Sequence, residues 1–172
     1  PKRVLVCFSQ SVTNQIRQKR KTEKFQFSYG HFDLISESLG MLSHLGIGGA
    51  SLALHVDLLI AAGAREIIFV GTAGALDPAL NVGDALMIEK SLMRDGTSRE
   101  YASGRTVESD LRLSDEIFTD LSGRIPSLKR NGYNVSLDGF FRESWPELNQ
   151  LAVEGVQTVE MEISTLLAVC EN

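Results

Sequence analysis

Cysteine is scarce in this 172-residue chain: Cys7 and Cys170 are the only two, and they lie far apart. That excludes a disulfide framework and a CxxC metal site, and it fits a reducing, cytoplasmic setting. Histidine is almost as rare. His31, His44 and His55 have no ligand spacing, and His55 is expected on a helix face, so no metal is expected. Long apolar runs are also missing. Residues 52–88 are the most apolar, but Asp57, Arg65, Glu66, Asp77 and Asp84 interrupt them. No run reaches the roughly eighteen residues a membrane span requires. No signal-peptide pattern follows Pro1-Lys2-Arg3. An excess of positive charge is lacking too: 17 Lys and Arg stand against 22 Asp and Glu, a net charge of -5. Neither a nucleic acid nor a membrane surface is therefore an expected partner. The one basic run, "RQKRKTEK" at 17–24, reads as a solvated helix end or loop.

What is present suits one hydrophobic core and one domain over residues 1–172: 43% of the residues are hydrophobic and 23% charged. "RVLVCF" (3–8) reads as a buried strand, and 9–21 as a helix capped by Ser9 or Ser11. "KFQFSYGHFDLIS" (24–36) alternates through Phe25, Phe27 and Tyr29, which suggests a hairpin. "MLSHLGIGG" (41–49) brings a strand to a glycine turn. "ASLALHVDLLIAAG" (50–63) is the clearest helix, with Leu52, Val56, Leu59 and Ile60 on one face and Gly63 as its stop. "EIIFV" (66–70) is a central strand, "NVGD" (81–84) a turn and "ALMIE" (85–89) the next strand. Ser114 is expected to cap the helix "DEIFTDLSG" (115–123). "YNVSL" (133–137) and "VQTV" (156–159) are short strands around the helix "PELNQLAVEG" (146–155), with Pro146 in its first turn. "EISTLLAVCEN" (162–172) is a final helix. This alternation implies an α/β fold with a mixed or mostly parallel sheet covered on both faces by helices.

Three stretches beyond strand ends carry unusual chemistry. "GIGGAS" (46–51) and "GTAGAL" (71–76) expose backbone amides with few side chains to block a ligand. "VEMEIS" (159–164) sets Glu160 and Glu162 around Met161. Each has a plainer explanation as well. Glycines between strand and helix can be only a tight turn, and "GIGG" lacks the full dinucleotide fingerprint. Carboxylates suit a helix N-terminus, and Phe140 and Phe141 in "LDGFFRES" can be loop anchors. A dinucleotide fold finds an acidic residue, Glu66, at about the right distance from the glycine turn, but leaves "GTAGAL" unexplained.

In order, "GIGGAS", "IIFVGTAGALDPALNVGDALMI", "RDGTSREY", "DGFFRE" and "VEMEIS" resemble the nucleoside phosphorylase and nucleosidase superfamily. Its members include uridine phosphorylases, hexameric purine nucleoside phosphorylases and methylthioadenosine nucleosidases. The resemblance covers residues 43–170 and implies a single α/β domain around a central mixed, partly barrel-like sheet flanked by helices, and cleavage of a nucleoside's N-glycosidic bond with phosphate as co-substrate and no cofactor. It matches Glu162 to the carboxylate that accepts both ribose hydroxyls, Met161 to packing against the sugar, and Glu160 to support of the base or the backbone. Phe140 matches the aromatic that stacks near the base. Thr72 matches a phosphate contact, Ala73 and Gly74 border the base, and Gly46 and Gly48 belong to the adjoining turn, with Gly48 assigned to phosphate.

The chain also departs from the pattern. Phe69 stands where phosphorylases carry a phosphate-gripping arginine, and the N-terminal glycine-aspartate-proline loop is absent. Arg94 is a candidate substitute for that arginine, with a surface salt bridge as its alternative. The glutamate with which nucleosidases activate water would fall near Ser11. Arg142 is out of place for uracil recognition. The proton-donating aspartate of purine-cleaving members is expected beyond Asn172, so the chain is expected to be incomplete at its C-terminus. The resemblance further implies a homo-oligomer, dimer or hexamer. Transfer to water, or nucleoside binding without catalysis, are the alternative activities.

Overall fold

The computed structural model describes residues 1–26 and 30–171. Phe27 and Tyr29, placed above in an alternating strand, and Asn172 lie outside the described residues. Two compact units are present, residues 1–72 and 73–172.

The first unit holds a five-stranded mixed sheet. β1 (Arg3–Cys7) lies at its heart, parallel to β4 (Leu39–Ser43) on one side and to β5 (Glu66–Val70) on the other. Val4, Val6 and Cys7 are fully buried, as a continuous apolar run in a central parallel strand requires. The expected hairpin is there: β2 (Glu23–Gln26) pairs antiparallel with β3 (His31–Leu34), and β3 with β4. Of the two serines expected to cap the first helix, Ser9 does so: its Oγ accepts from the Val12 N–H at 3.4 Å to start α1 (Gln10–Lys19). α2 (Gly49–Ala61) buries Leu52, Val56 and Leu59. It stops at Gly63, where φ is 97°. There the Gly63 N–H reaches the Ile60 carbonyl and the Ala64 N–H the Leu59 carbonyl, the paired bonds that a left-handed residue makes possible at a helix end.

The second unit holds another five-stranded mixed sheet, in the order β6-β10-β9-β7-β8. β7 (Ala85–Met93), β9 (Leu128–Ser136) and β10 (Thr158–Glu160) run parallel, while β6 (Gly74–Ala75) and β8 (Thr106–Glu108) are antiparallel edges. The helices are α3 (Ser98–Tyr101), α4 (Leu111–Ser122), α5 (Trp145–Val153) and α6 (Ile163–Glu171). Alternate residues of β7 point to opposite faces. Leu92 packs with Val135, Val156, Val159 and Leu151 of α5, while Met93 packs with Val107 and Ala168 of α6.

The expected mixed α/β fold with flanking helices is therefore present, its sheet realised as two open sheets, neither of them closed. Some local expectations are corrected. α4 begins four residues before the sequence reading placed it, because the Asp110 carboxylate accepts the Leu113 N–H at 2.8 Å. Ser114 lies inside the helix, with its Oγ 3.1 Å from that of Ser109. β7 runs on past Glu89, through register shifts against β9 between residues 86 and 90. Lys90 and Ser91 interrupt the apolar pattern, but Ser91 is buried and its Oγ accepts from Asn134 Nδ2 at 3.1 Å. Among the described residues no helix is long and apolar enough to cross a membrane.

Candidate active site

Strand register in the second unit sets Met93, Ser136 and Glu160 side by side at the carboxyl ends of β7, β9 and β10. Loops leaving such ends are where open parallel sheets bind ligands. Here those loops contain Arg94 and Asp95, then Asp138 to Phe140, then Met161 and Glu162. The second and third are joined at the strand ends by the Leu137 N–H on the Glu160 carbonyl. The first and second are joined by the Gly96 N–H on Asp138 Oδ2 at 2.8 Å. Gly74 belongs to the same neighbourhood. It pairs with Val159 across β6 and β10, and a Cβ there would lie 3.1 Å from Val159 Cγ1.

Glu160 is buried and its carboxylate is fully engaged. One oxygen accepts from Asn134 Nδ2 at 2.7 Å and Ser136 Oγ at 2.5 Å; the other accepts from the N–H groups of Glu162 at 2.6 Å and Ile163 at 2.8 Å. A carboxylate offers about four lone-pair sites, so Glu160 has none left for a base. Its work is to hold the backbone that leads into α6. Glu162 is the residue from which that helix departs: its carbonyl accepts the Leu166 N–H, and the residue is only 8% exposed. Met161, between them, is half-buried.

The sequence reading did not single out Asp95, which is fully buried. Its carboxylate accepts the Ser98 N–H at 2.8 Å, the Ser98 hydroxyl at 2.7 Å and the Thr165 hydroxyl at 2.7 Å, together with the Ser164 hydroxyl. Burial pushes its pKa up, but the bonds from Ser164, Thr165 and Ser98 outweigh that and hold it below the usual carboxylate range. Asn134, Ser136, Ser164 and Thr165 were missed as well. The available signal was "DGTS", an aspartate three residues before a serine, the spacing of a side chain capping its own turn. Nothing in the sequence pairs Asp95 with residues 164 and 165.

The remaining predicted residues divide by unit. Arg94 forms an ion pair with Glu147 at 2.5 Å, the surface role weighed for it above. It lines a cavity of about 270 Å³ with Arg99, Arg105, Glu147 and Glu154. Phe140 opens a short 3-10 turn and is 63% exposed, edge-to-face with Phe141 at 5.2 Å. Ala73 is exposed.

In the first unit, Gly48 has φ 96° and begins α2 without a side-chain cap, and Gly46 has φ 50°. Thr72 is exposed at the end of that unit. Phe69 lies against Phe8 with ring centroids 5.5 Å apart, and its ring occupies the place where a side chain on Gly71 would go, 2.7 Å from that Cβ position. A side chain at the glycine that opens "GTAGAL" would thus have to displace the Phe69 ring. Farther back, buried Asp33 accepts from Arg17 at 2.6 Å and from Thr22 at 3.1 Å. Arg17 also donates to Ser43, whose hydroxyl lies 3.1 Å from His44 Nδ1.

Among curated proteins the chain is 29% identical to uridine phosphorylase of Salmonella typhimurium over 142 residues, 74% of this chain and 56% of the relative. It is 29% identical to guanosine phosphorylase of Halorubrum lacusprofundi over 166 residues, 91% of this chain and 63% of the relative. The chain thus spans a little over half the length of the curated relatives it matches. The fold is that of a solved uridine phosphorylase from Vibrio fischeri, with a TM-score of 0.86 at 24% identity over 99% of this chain and 74% of that one. It is also that of the Helicobacter pylori MTAN D198N mutant solved with 5'-methylthioadenosine, with a TM-score of 0.77 at 20% identity over 99% and 79%. A profile of the phosphorylase superfamily matches residues 2–172, and the chain belongs to that superfamily.

Proposed function

We propose that the protein cleaves the N-glycosidic bond of a nucleoside, transferring the ribosyl group to phosphate and releasing the free base. The observation that carries this reading is Glu162: a carboxylate on a largely buried residue, where β10 gives way to α6, in a chain of the phosphorylase superfamily. Bond cleavage passes through a sugar with oxocarbenium character. A carboxylate can accept hydrogen bonds from two ribose hydroxyls, and its charge favours the developing cation. Glu160 serves by fixing the backbone on which Glu162 stands. Met161 packs against the sugar, Phe140 stacks near the base, Ala73 and Gly74 border it, and Thr72 and Gly48 contact phosphate. The named relatives act on uridine and guanosine, so the base is left to experiment.

Phe69 favours a second reading, transfer to water. A phenyl ring offers no charge-assisted hydrogen bond to a dianion, and this one fills the space beside Gly71. The two readings separate when the full-length protein is incubated with uridine and guanosine, with and without phosphate, and free base is measured. Phosphate-dependent release supports phosphorolysis. Release indifferent to phosphate replaces it with hydrolysis, and binding without release removes both.

A further inference from the structure

We propose that Asp95 is a positioning residue for Glu162, fixing the first turn of α6 through its side-chain hydroxyls while Glu160 holds its backbone. The inference rests on the sugar-binding role of Glu162 and deepens it. Four consecutive residues at the start of α6 are tied to groups outside the helix. The N–H groups of Glu162 and Ile163 go to Glu160, the Ser164 N–H goes to Ser136 Oγ at 2.9 Å, and the hydroxyls of Ser164 and Thr165 go to Asp95. Asp95 is in turn locked to the turn after β7 by both donors of Ser98.

An ordinary helix start needs one capping side chain. This one engages two buried carboxylates, neither of which has an ion-pair partner among the described residues. Burying a charge in this way is unfavourable unless its hydrogen bonds are complete. Completed bonds on both carboxylates are what a catalytic group held to within about half an ångström requires. Glu162 stands at the head of the braced turn, so the precision of its carboxylate depends on Asp95 without Asp95 touching substrate.

The test uses the full-length protein with Asp95→Asn, which keeps the shape and removes the charge. Thr165→Val serves as a second variant that removes one donor and leaves Asp95 with Ser164 and Ser98. Two readouts are taken. Hydrogen exchange of the amides of residues 162–166 should quicken by about tenfold or more in both variants, with the strands of the first unit unchanged. The preference for a ribonucleoside over its 2'-deoxy analogue should fall by roughly ten- to a hundredfold, the worth of one hydrogen bond to a charged group, and mainly in kcat. A variant that merely weakened the fold would lower activity on both sugars equally. Unchanged exchange at 162–166 overturns the proposal, and so does faster exchange with an unchanged sugar preference. If the wild-type protein cleaves no nucleoside, the functional reading fails. The exchange measurement then decides by itself whether Asp95 braces the turn.

Discussion

Asp33 takes its charge into the first unit with Arg17 as its partner, and the two side chains are 0% and 14% exposed. Removing one member of a buried pair strands the other, so Asp33→Ala should lose about 3–5 kcal/mol in urea unfolding. The pH dependence follows from the same contacts. Burial raises the Asp33 pKa, but bonds from Arg17 and Thr22 and the nearby positive charge bring it below its ordinary value. A lowered folded-state pKa gives stability that is present above the unfolded value of about 3.9 and lost as pH falls through the folded one. Asp95 titrates with the same sign. His44 acts at higher pH. Burial first, then the charges of His31 and Arg17, hold its pKa below the usual imidazole value, so stability begins to decline as pH drops below about 6.5. A stability-against-pH curve should therefore show two descending limbs. His44→Gln should weaken the limb that begins at about pH 6.5, and Asp33→Ala should shrink the acid limb below about pH 3.9, which Asp95 shares; limbs unchanged in both variants contradict this account.

Elements show where sequence reasoning succeeds and where it stops. α2 was legible because its apolar face and its Gly63 stop are both local signals; the hairpin of β2 and β3 is present, but β2 is exposed along its whole length and shows no alternation of burial. The start of α4 was missed because Ser114 and Asp110 are both acceptable caps by residue type. Only the backbone at Asp110, extended at φ -64° and ψ 112°, decides between them. Asp110→Ala should therefore cost about 1 kcal/mol, measured by thermal unfolding, and Ser114→Ala should leave the helix start in place. The bare "GTAGAL" loop carries a similar lesson. Its first glycine reads as room for a ligand, whereas the structure sets the Phe69 ring against it. Gly71→Ala should destabilise by about 1–3 kcal/mol through overpacking, and Phe69→Leu in the same protein should recover most of that. Independent, additive effects of the two substitutions would contradict the contact.

At the scale of the whole molecule, the motif order was enough to reach the superfamily, and the pairing of β7, β9 and β10 explains why. Three loops that are far apart in sequence leave adjacent strand ends, so their composition is constrained jointly even though each motif alone is ambiguous. The Asp95, Ser164 and Thr165 cluster was not legible, because it depends on contacts across about seventy residues between side chains of ordinary type. The division into two sheets was also not legible, since local periodicity reports a strand but not the sheet it joins. The account as a whole turns on Glu162. The decisive measurement is free-base release from uridine and guanosine by the full-length protein and its Glu162→Ala variant, alongside the melting temperature of each. The account predicts that release falls by about a hundredfold or more while the melting temperature moves by only a few degrees. Release that survives the substitution, or a loss of activity matched by collapse of the fold, contradicts it.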